Sequence, residues 1–230
     1  RKFTGLFYSS FALMDTTNQR KEALNNRISA VEKRLHILEE KVNDPVQRVK
    51  SDLLARKIFN AQFYTVPSNY YEWALEERAS FLQCRVPQLC KSIIFENTMH
   101  DDSVTSSFSN SKYYCVITQY IAKINVMSLR TLVHELRDPA DRLPKKRFHF
   151  QLASDEDSFK LSGFGHNAIS PFGLIATDIP IIICRRCIDE MSPPIIFLGG
   201  GKVDVKVALP VGTLVDGLNA IVGDITDKIY

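Results

Sequence analysis

Glycine is almost missing from the first two thirds of this 230-residue chain: nine of its ten glycines lie at position 163 or later, six of them between Gly163 and Gly201. Backbone that needs unusual angles is therefore confined to the C-terminal third. Long apolar runs are missing as well. The longest, around Ile179 to Cys184 and Ile195 to Leu198, are strand-sized and far short of the roughly 20 residues of a membrane-spanning helix. Cysteine is sparse and odd in number, at 84, 90, 115, 184 and 187, which excludes the dense, even pattern of a secreted disulfide framework, and no hydrophobic leader precedes it. A soluble protein of a reducing, cytoplasmic compartment is expected. The chain opens on Arg1 rather than methionine, as a fragment or trimmed chain would.

Charge of one sign is also lacking. Twenty-nine Lys and Arg stand against 26 Asp and Glu, a net +3, too little to mark a nucleic-acid binder by itself. Its distribution says more: residues 1–58 hold 12 Lys/Arg and 7 Asp/Glu, and the rest hold 17 and 19, so the basic excess sits entirely in the N-terminal quarter. With 45% hydrophobic and 24% charged residues, the remainder has the composition of an ordinary globular domain.

What is present begins with an arm. Apolar residues recur as Leu24, Ile28, Val31, Leu35, Leu38 and Val42, the alternation of four and three that marks a coiled-coil seam. Charged residues fill most positions between them, and Pro45 ends the pattern before a second helical run at Val46, Val49, Leu53 and Leu54. Residues 1–58 therefore read as a helical arm for self-association or docking, or as a surface helix folded back on its own domain.

Residues 59–230 read as one α+β domain with a mixed sheet. Helical spacing runs from Asn69 to Cys84 with Ser68 as cap, from Ser128 to Leu136 with Ser128 as cap, from Asp155 to Leu161 and from Val211 to Ala220. Strands are expected at Ser92 to Glu96, Tyr113 to Ile121, Phe148 to Leu152, Leu174 to Thr177, Ile179 to Cys184, Ile195 to Leu198 and Val203 to Leu209. The last alternates, with Val203, Val205 and Val207 on one face and Asp204 and Lys206 on the other. Thr98 to Lys112 is a polar, serine-rich loop expected to be mobile.

Three motifs invite chemistry. Gly199-Gly200-Gly201-Lys202 could cradle a phosphate, but it lacks the following Ser or Thr and leads into a strand where that motif must open a helix. A tight connection, or backbone approached closely by a ligand, fits it better. Cys184-Arg185-Arg186-Cys187 lacks the second pair a zinc site needs, so buried thiols are expected, with no metal and no cofactor. The third is the turn Gly163-Phe164-Gly165-His166-Asn167-Ala168-Ile169-Ser170-Pro171-Phe172-Gly173. Glycines at both ends permit backbone that can aim several N–H groups at one point, a donor cluster for negative charge developing on a carbonyl oxygen. Equally, it could be a rigid hairpin whose Ile169 and Phe172 plug the core. His166 is a polar lining residue on the first reading and a surface histidine on the second.

At this turn the chain resembles the YbaK/prolyl-tRNA synthetase editing superfamily, which hydrolyses wrongly charged aminoacyl-tRNAs. Gly165 to Gly173, with its closing Pro-Phe-Gly, is similar to the family's glycine-led loop, and Lys91-Ser92-Ile93-Ile94-Phe95 is similar to the early strand that carries its functional lysine. Ser154 to Gly163, Ile179 to Ile182, Phe197 to Gly201 and the strand and helix that follow agree in order and spacing. Phe148 to Leu152 with Leu198 to Lys206 is closest to the stand-alone eukaryotic branch. The likeness spans roughly residues 70 to 222 and leaves the arm aside. It departs at Gly201-Lys202-Val203-Asp204, where several proline-system editors carry a histidine and this chain does not.

The resemblance implies a trans-editing deacylase acting on the 3′ end of aminoacyl-tRNA, with Lys91, Gly165 and His166 in the catalytic set. Asn167, Ala168, Ile169, Ser170, Pro171, Phe172, Gly173, Gly199, Gly200 and Gly201 line the substrate. Water is the nucleophile, because no protein base stands out. The alternative is a non-catalytic adaptor that binds tRNA, a synthetase or a multi-synthetase complex, with the arm doing the essential work.

Overall fold

The computed structural model describes residues 20–36, 44–101, 103–104 and 107–227. Two compact units divide between Asp44 and Pro45. In the first, residues 20–36 form helix α1, and Leu24, Ile28, Val31 and Leu35 are all exposed. Leu38 and Val42, the last two seam positions, lie outside the described residues.

The second unit starts at Pro45 and not at residue 59. The reason is α2 (Pro45–Ala55), whose Val49 and Leu53 are buried in the main core. The expected second helix is present, but it is part of the domain. A short strand follows, β1 (Gln62–Thr65), which the sequence reading did not contain.

The expected long helix from Asn69 is broken in two. A 3₁₀ turn spans Tyr70–Glu72 and α3 runs over Leu75–Phe81. Between them Ala74 is extended, and its N–H donates to the Glu77 carboxylate at 2.8 Å, so the helix starts afresh there and Ser68 caps nothing. Next come β2 (Cys90–Asn97) and β3 (Tyr113–Gln119), joined by the serine-rich loop, then α4 (Val126–Glu135). Its cap is Asn125, whose side chain accepts the Ser128 N–H, so Ser128 lies inside the first turn. Strand β4 (Phe150–Leu152) leads to α5 (Asp155–Ser162), where Ser154 accepts the Asp157 N–H and three acidic residues occupy the positive end of the helix dipole. Leu174 to Thr177, expected as a strand, is irregular chain. The remaining order is β5 (Ile181–Cys184), α6 (Arg186–Asp189), β6 (Ile195–Gly199), β7 (Val205–Pro210), α7 (Val211–Leu218) and β8 (Ile221–Gly223).

The strands form two sheets. One is antiparallel in the order β1-β7-β6, and the other is mixed in the order β4-β2-β3-β5-β8, with β3, β5 and β8 parallel. A parallel bridge between Leu89 and Phe197 ties the start of β2 to β6. The main core lies between the sheets and their helices, with Ile94, Ile117, Ile182, Ile183, Leu198 and Leu209 fully covered. A second cluster holds Val66, Tyr70, Ala79, Leu82, Leu89, Phe197 and Ala208. Thus β7 sends Val207 and Leu209 into one core and Ala208 into the other, and both faces of the strand are covered. Lys206, on the face of Ala208, is accordingly only 5% exposed.

Candidate functional site

The glycine-rich turn starts where α5 ends, at Gly163 in left-handed conformation (φ 69°), and closes at Gly173 (φ 71°). One face of α2 holds both ends. Arg48 donates to the carbonyls of Gly163 at 2.8 Å, Ser162 at 3.3 Å and Gly173 at 3.2 Å, while Asp52, one turn on, accepts the Gly173 N–H at 2.9 Å. The Arg48 guanidinium also lies 4.8 Å from the centre of the Phe164 ring. Within the turn the third left-handed residue is Asn167 (φ 62°), an amide side chain that tolerates this region. Gly165 needs no such freedom: a Cβ built there meets nothing.

Several carbonyl groups of the turn are engaged besides those held by Arg48. Gly165 O accepts from Ala168 N–H at 3.1 Å, Asn167 O from the Tyr71 hydroxyl at 2.5 Å and Ala168 O from Gly201 N–H at 3.2 Å. Of the N–H groups, that of Phe172 goes to Ser170 Oγ and that of Gly173 to Asp52. Those of His166, Asn167, Ile169 and Ser170 have no acceptor among the described residues. The amides left over are donors of the kind an oxyanion requires. Of the expected plug residues Phe172 is in the main core and Ile169 only packs against it, half-buried; Ala168 is the second core residue, Ser170 and Pro171 are buried, and Gly165 and His166 are exposed. The two readings of the turn describe different atoms of one loop.

The triple glycine is approached closely, but by this chain's own backbone. A Cβ on Gly199 would collide with the Ile169 carbonyl and lie 2.9 Å from that of Ala168, and one on Gly201 (φ 102°) would lie 2.7 Å from the Pro45 carbonyl oxygen. Gly200 donates to Val205 O at 2.9 Å, closing the connection into β7. Gly199 and Gly201 thus seat the turn against the end of β6.

Lys91 is half-buried on β2, opposite Thr118 of β3. Cross-strand partners share a face, and Thr118 is fully buried with no partner for its hydroxyl among the described residues. Such an orphaned polar atom is rare in a folded chain. The Lys91 ammonium lies 5.6 Å from the centre of the Tyr120 ring. From there a packed row of aromatic and cationic groups leads to the turn: Arg78 sits 5.8 Å from the Tyr120 ring and 5.2 Å from that of Tyr71, whose hydroxyl holds Asn167.

Lys206 completes the row. Its ammonium contacts the Tyr71 hydroxyl and lies 4.3 Å from the Tyr71 ring centre and 5.3 Å from that of Tyr70. No carboxylate pairs with it among the described residues. Burial first, and then the nearby Arg78 charge, lower its pKa from 10.5 to about 7. Burial also raises the Tyr71 and Tyr70 hydroxyls above their ordinary range, so both stay protonated. The sequence reading missed Tyr70, Tyr71, Arg78, Tyr120 and Lys206. The one signal available was a lysine in an otherwise apolar strand.

Among the described residues no helix is long and apolar enough to cross a membrane. No family model matches the chain, and no curated protein matches it by sequence. Solved structures do match. A candidate trans-editing enzyme for prolyl-tRNA synthetase superposes with a TM-score of 0.62 at 17% identity, over 80% of this chain and 98% of that one. A scaffold protein from computational epitope grafting gives 0.61 at 15% identity over 80% and 98%, and a hypothetical protein gives 0.57 at 18% over 78% and 99%. The fold expected from the resemblance to the YbaK/prolyl-tRNA synthetase editing superfamily is the fold this chain adopts.

Proposed function

We propose that the protein is an aminoacyl-tRNA deacylase that removes a mismatched amino acid from the terminal adenosine ester in trans. The observation that carries this reading is the turn at 163–173, where the amides of His166, Asn167, Ile169 and Ser170 have no acceptor among the described residues. Those amides would receive the oxyanion that forms when water attacks the ester carbonyl. Lys91, beside the orphaned Thr118 hydroxyl, would hold the carbonyl or terminal phosphate as a point charge. Gly165 and His166, at the exposed lip of the turn, would border the entry, and Asn167 to Gly173 would form the floor, backed from behind by Gly199 to Gly201. The protein would act without metal or cofactor in the cytoplasm. Purified protein is assayed with a panel of mischarged tRNAs beside Lys91→Met. The reading predicts deacylation of at least one substrate and a loss of 100-fold or more in the variant. Failure on every substrate, or full activity without Lys91, removes it.

A second reading concerns residues 1–44. The four exposed apolar residues of α1 sit at heptad spacing between charges of both signs, the pattern of a helix that pairs with a second copy of itself. On this reading the arm dimerises the enzyme, or docks it on a synthetase assembly.

A further inference from the structure

We propose that Lys206 is a positioning residue that, through Tyr71, holds the glycine-rich turn in its observed conformation at Asn167. The inference rests on the deacylase reading only for its catalytic consequence. Its geometry is independent. The Tyr71 hydroxyl has one proton, and it donates that proton to Asn167 O at 2.5 Å while its oxygen contacts Lys206 Nζ. A phenol can do both only if the lysine acts as donor.

An ammonium has no lone pair, so a charged Lys206 cannot take the Tyr71 proton, which is left to Asn167 O and the neighbouring Tyr120 hydroxyl. A neutral amine gains a lone pair and competes for that proton. When it wins, the Asn167 carbonyl loses its tether, at the one non-glycine residue of the turn with positive φ. The groups facing Lys206 are Tyr70 and Tyr71 from the 3₁₀ turn, Arg78 from α3, Tyr120 beyond β3, and Tyr64 and Gly199 opposite it on β1 and β6. No acid among the described residues is paired with it, and burial beside Arg78 brings its titration to about 7. The tether is therefore firm in mildly acidic solution and slackens as pH rises through neutrality.

The test is a pH titration of backbone amide NMR shifts from 5.5 to 9 in a His166→Gln background, which removes the imidazole next to Asn167. The Asn167 and Ala168 amides are expected to titrate with a midpoint near 7, to lose that titration in Lys206→Met, and to lose it in Tyr71→Phe, which keeps the lysine and removes only the link. A midpoint that survives both substitutions, or no titration between 6 and 8, overturns the proposal. If the wild type deacylates, Tyr71→Phe should lower kcat with little change in KM. If it deacylates nothing while the amide titration behaves as stated, the deacylase reading fails and the tether stands.

Discussion

Lys206→Met should make the protein more stable at neutral pH and less so, relative to wild type, as the solution turns alkaline. The wild-type lysine is 5% exposed, has no carboxylate partner among the described residues, and titrates at about 7 instead of 10.5. That displacement corresponds to roughly 5 kcal/mol of ionisation penalty when the group is charged in both states. Methionine removes the penalty at similar volume. It also forfeits a hydrogen bond to Tyr71, about 1 kcal/mol, and the contacts with the Tyr70 and Tyr71 rings, together about 2 kcal/mol. The variant should therefore gain roughly 2 kcal/mol at pH 7, within the range seen when buried charges are replaced by apolar side chains. The pH dependence follows from the sign of the shift. Between about 7 and 10 the unfolded lysine keeps its proton and the folded one does not, so wild-type stability rises relative to the variant by about 1.4 kcal/mol per pH unit. The advantage of methionine should vanish near pH 8.5 on this arithmetic. Urea denaturation of both proteins at half-unit intervals from pH 6.5 to 9.5 measures the difference. Parallel curves would refute the reasoning, because they would mean that Lys206 folds and unfolds with the same proton count.

Three further outcomes follow from the same geometry. Gly199→Ala drives a Cβ into the Ile169 carbonyl, which is backbone and cannot swing aside; unfolding free energy should fall by about 1–3 kcal/mol in urea titrations, and amide exchange at 168–170 should quicken, whereas an unperturbed turn would contradict the close approach. Arg48→Ala removes the donors to Gly163, Ser162 and Gly173, so a loss of roughly 2–3 kcal/mol is expected, with protection from exchange lost mainly over 163–173; uniform loss across the domain would place the effect elsewhere. Changing Leu24, Ile28, Val31 and Leu35 together to Gln should halve the mass seen by sedimentation and leave the thermal midpoint of the Pro45–Tyr230 unit in place; a wild type that is already monomeric would count against pairing.

The parts of this molecule legible in its sequence are those in which a local pattern maps to a local structure. Ser154 and the acids after it announce α5, Gly163 announces its end, and the Gly/Pro content of 163–173 announces a constrained turn. Where the reading failed, the deciding contact is distant in sequence. Val49 and Leu53 carry a helical spacing that an arm or a domain could use equally, and only burial against the core assigns α2 to the domain. The helix expected from Asn69 has continuous spacing, yet Ala74 turns away because Tyr70 and Tyr71 must lie over β7 while Arg78 donates back to the carbonyls of Tyr71 and Trp73. β8 is three residues long and exists as a strand because β5 offers it a parallel edge.

Lys206 shows the limit most clearly. Alternation correctly divides Val205 to Leu209 into two faces, Val203 and Asp204 lying in the turn before the strand, but a period of two cannot say whether the second face meets water or another layer. Here it meets the cluster of Tyr70, Ala79 and Leu82, built from the segment that the sequence presents as an ordinary amphipathic helix. Ala208 on the same face settles easily into that cluster, and a lysine does not. Keeping an unpaired ammonium there lowers stability with no return in packing that methionine would not also give, so the residue is better explained by what its N–H groups do for Tyr71, and through Tyr71 for Asn167, than by the fold.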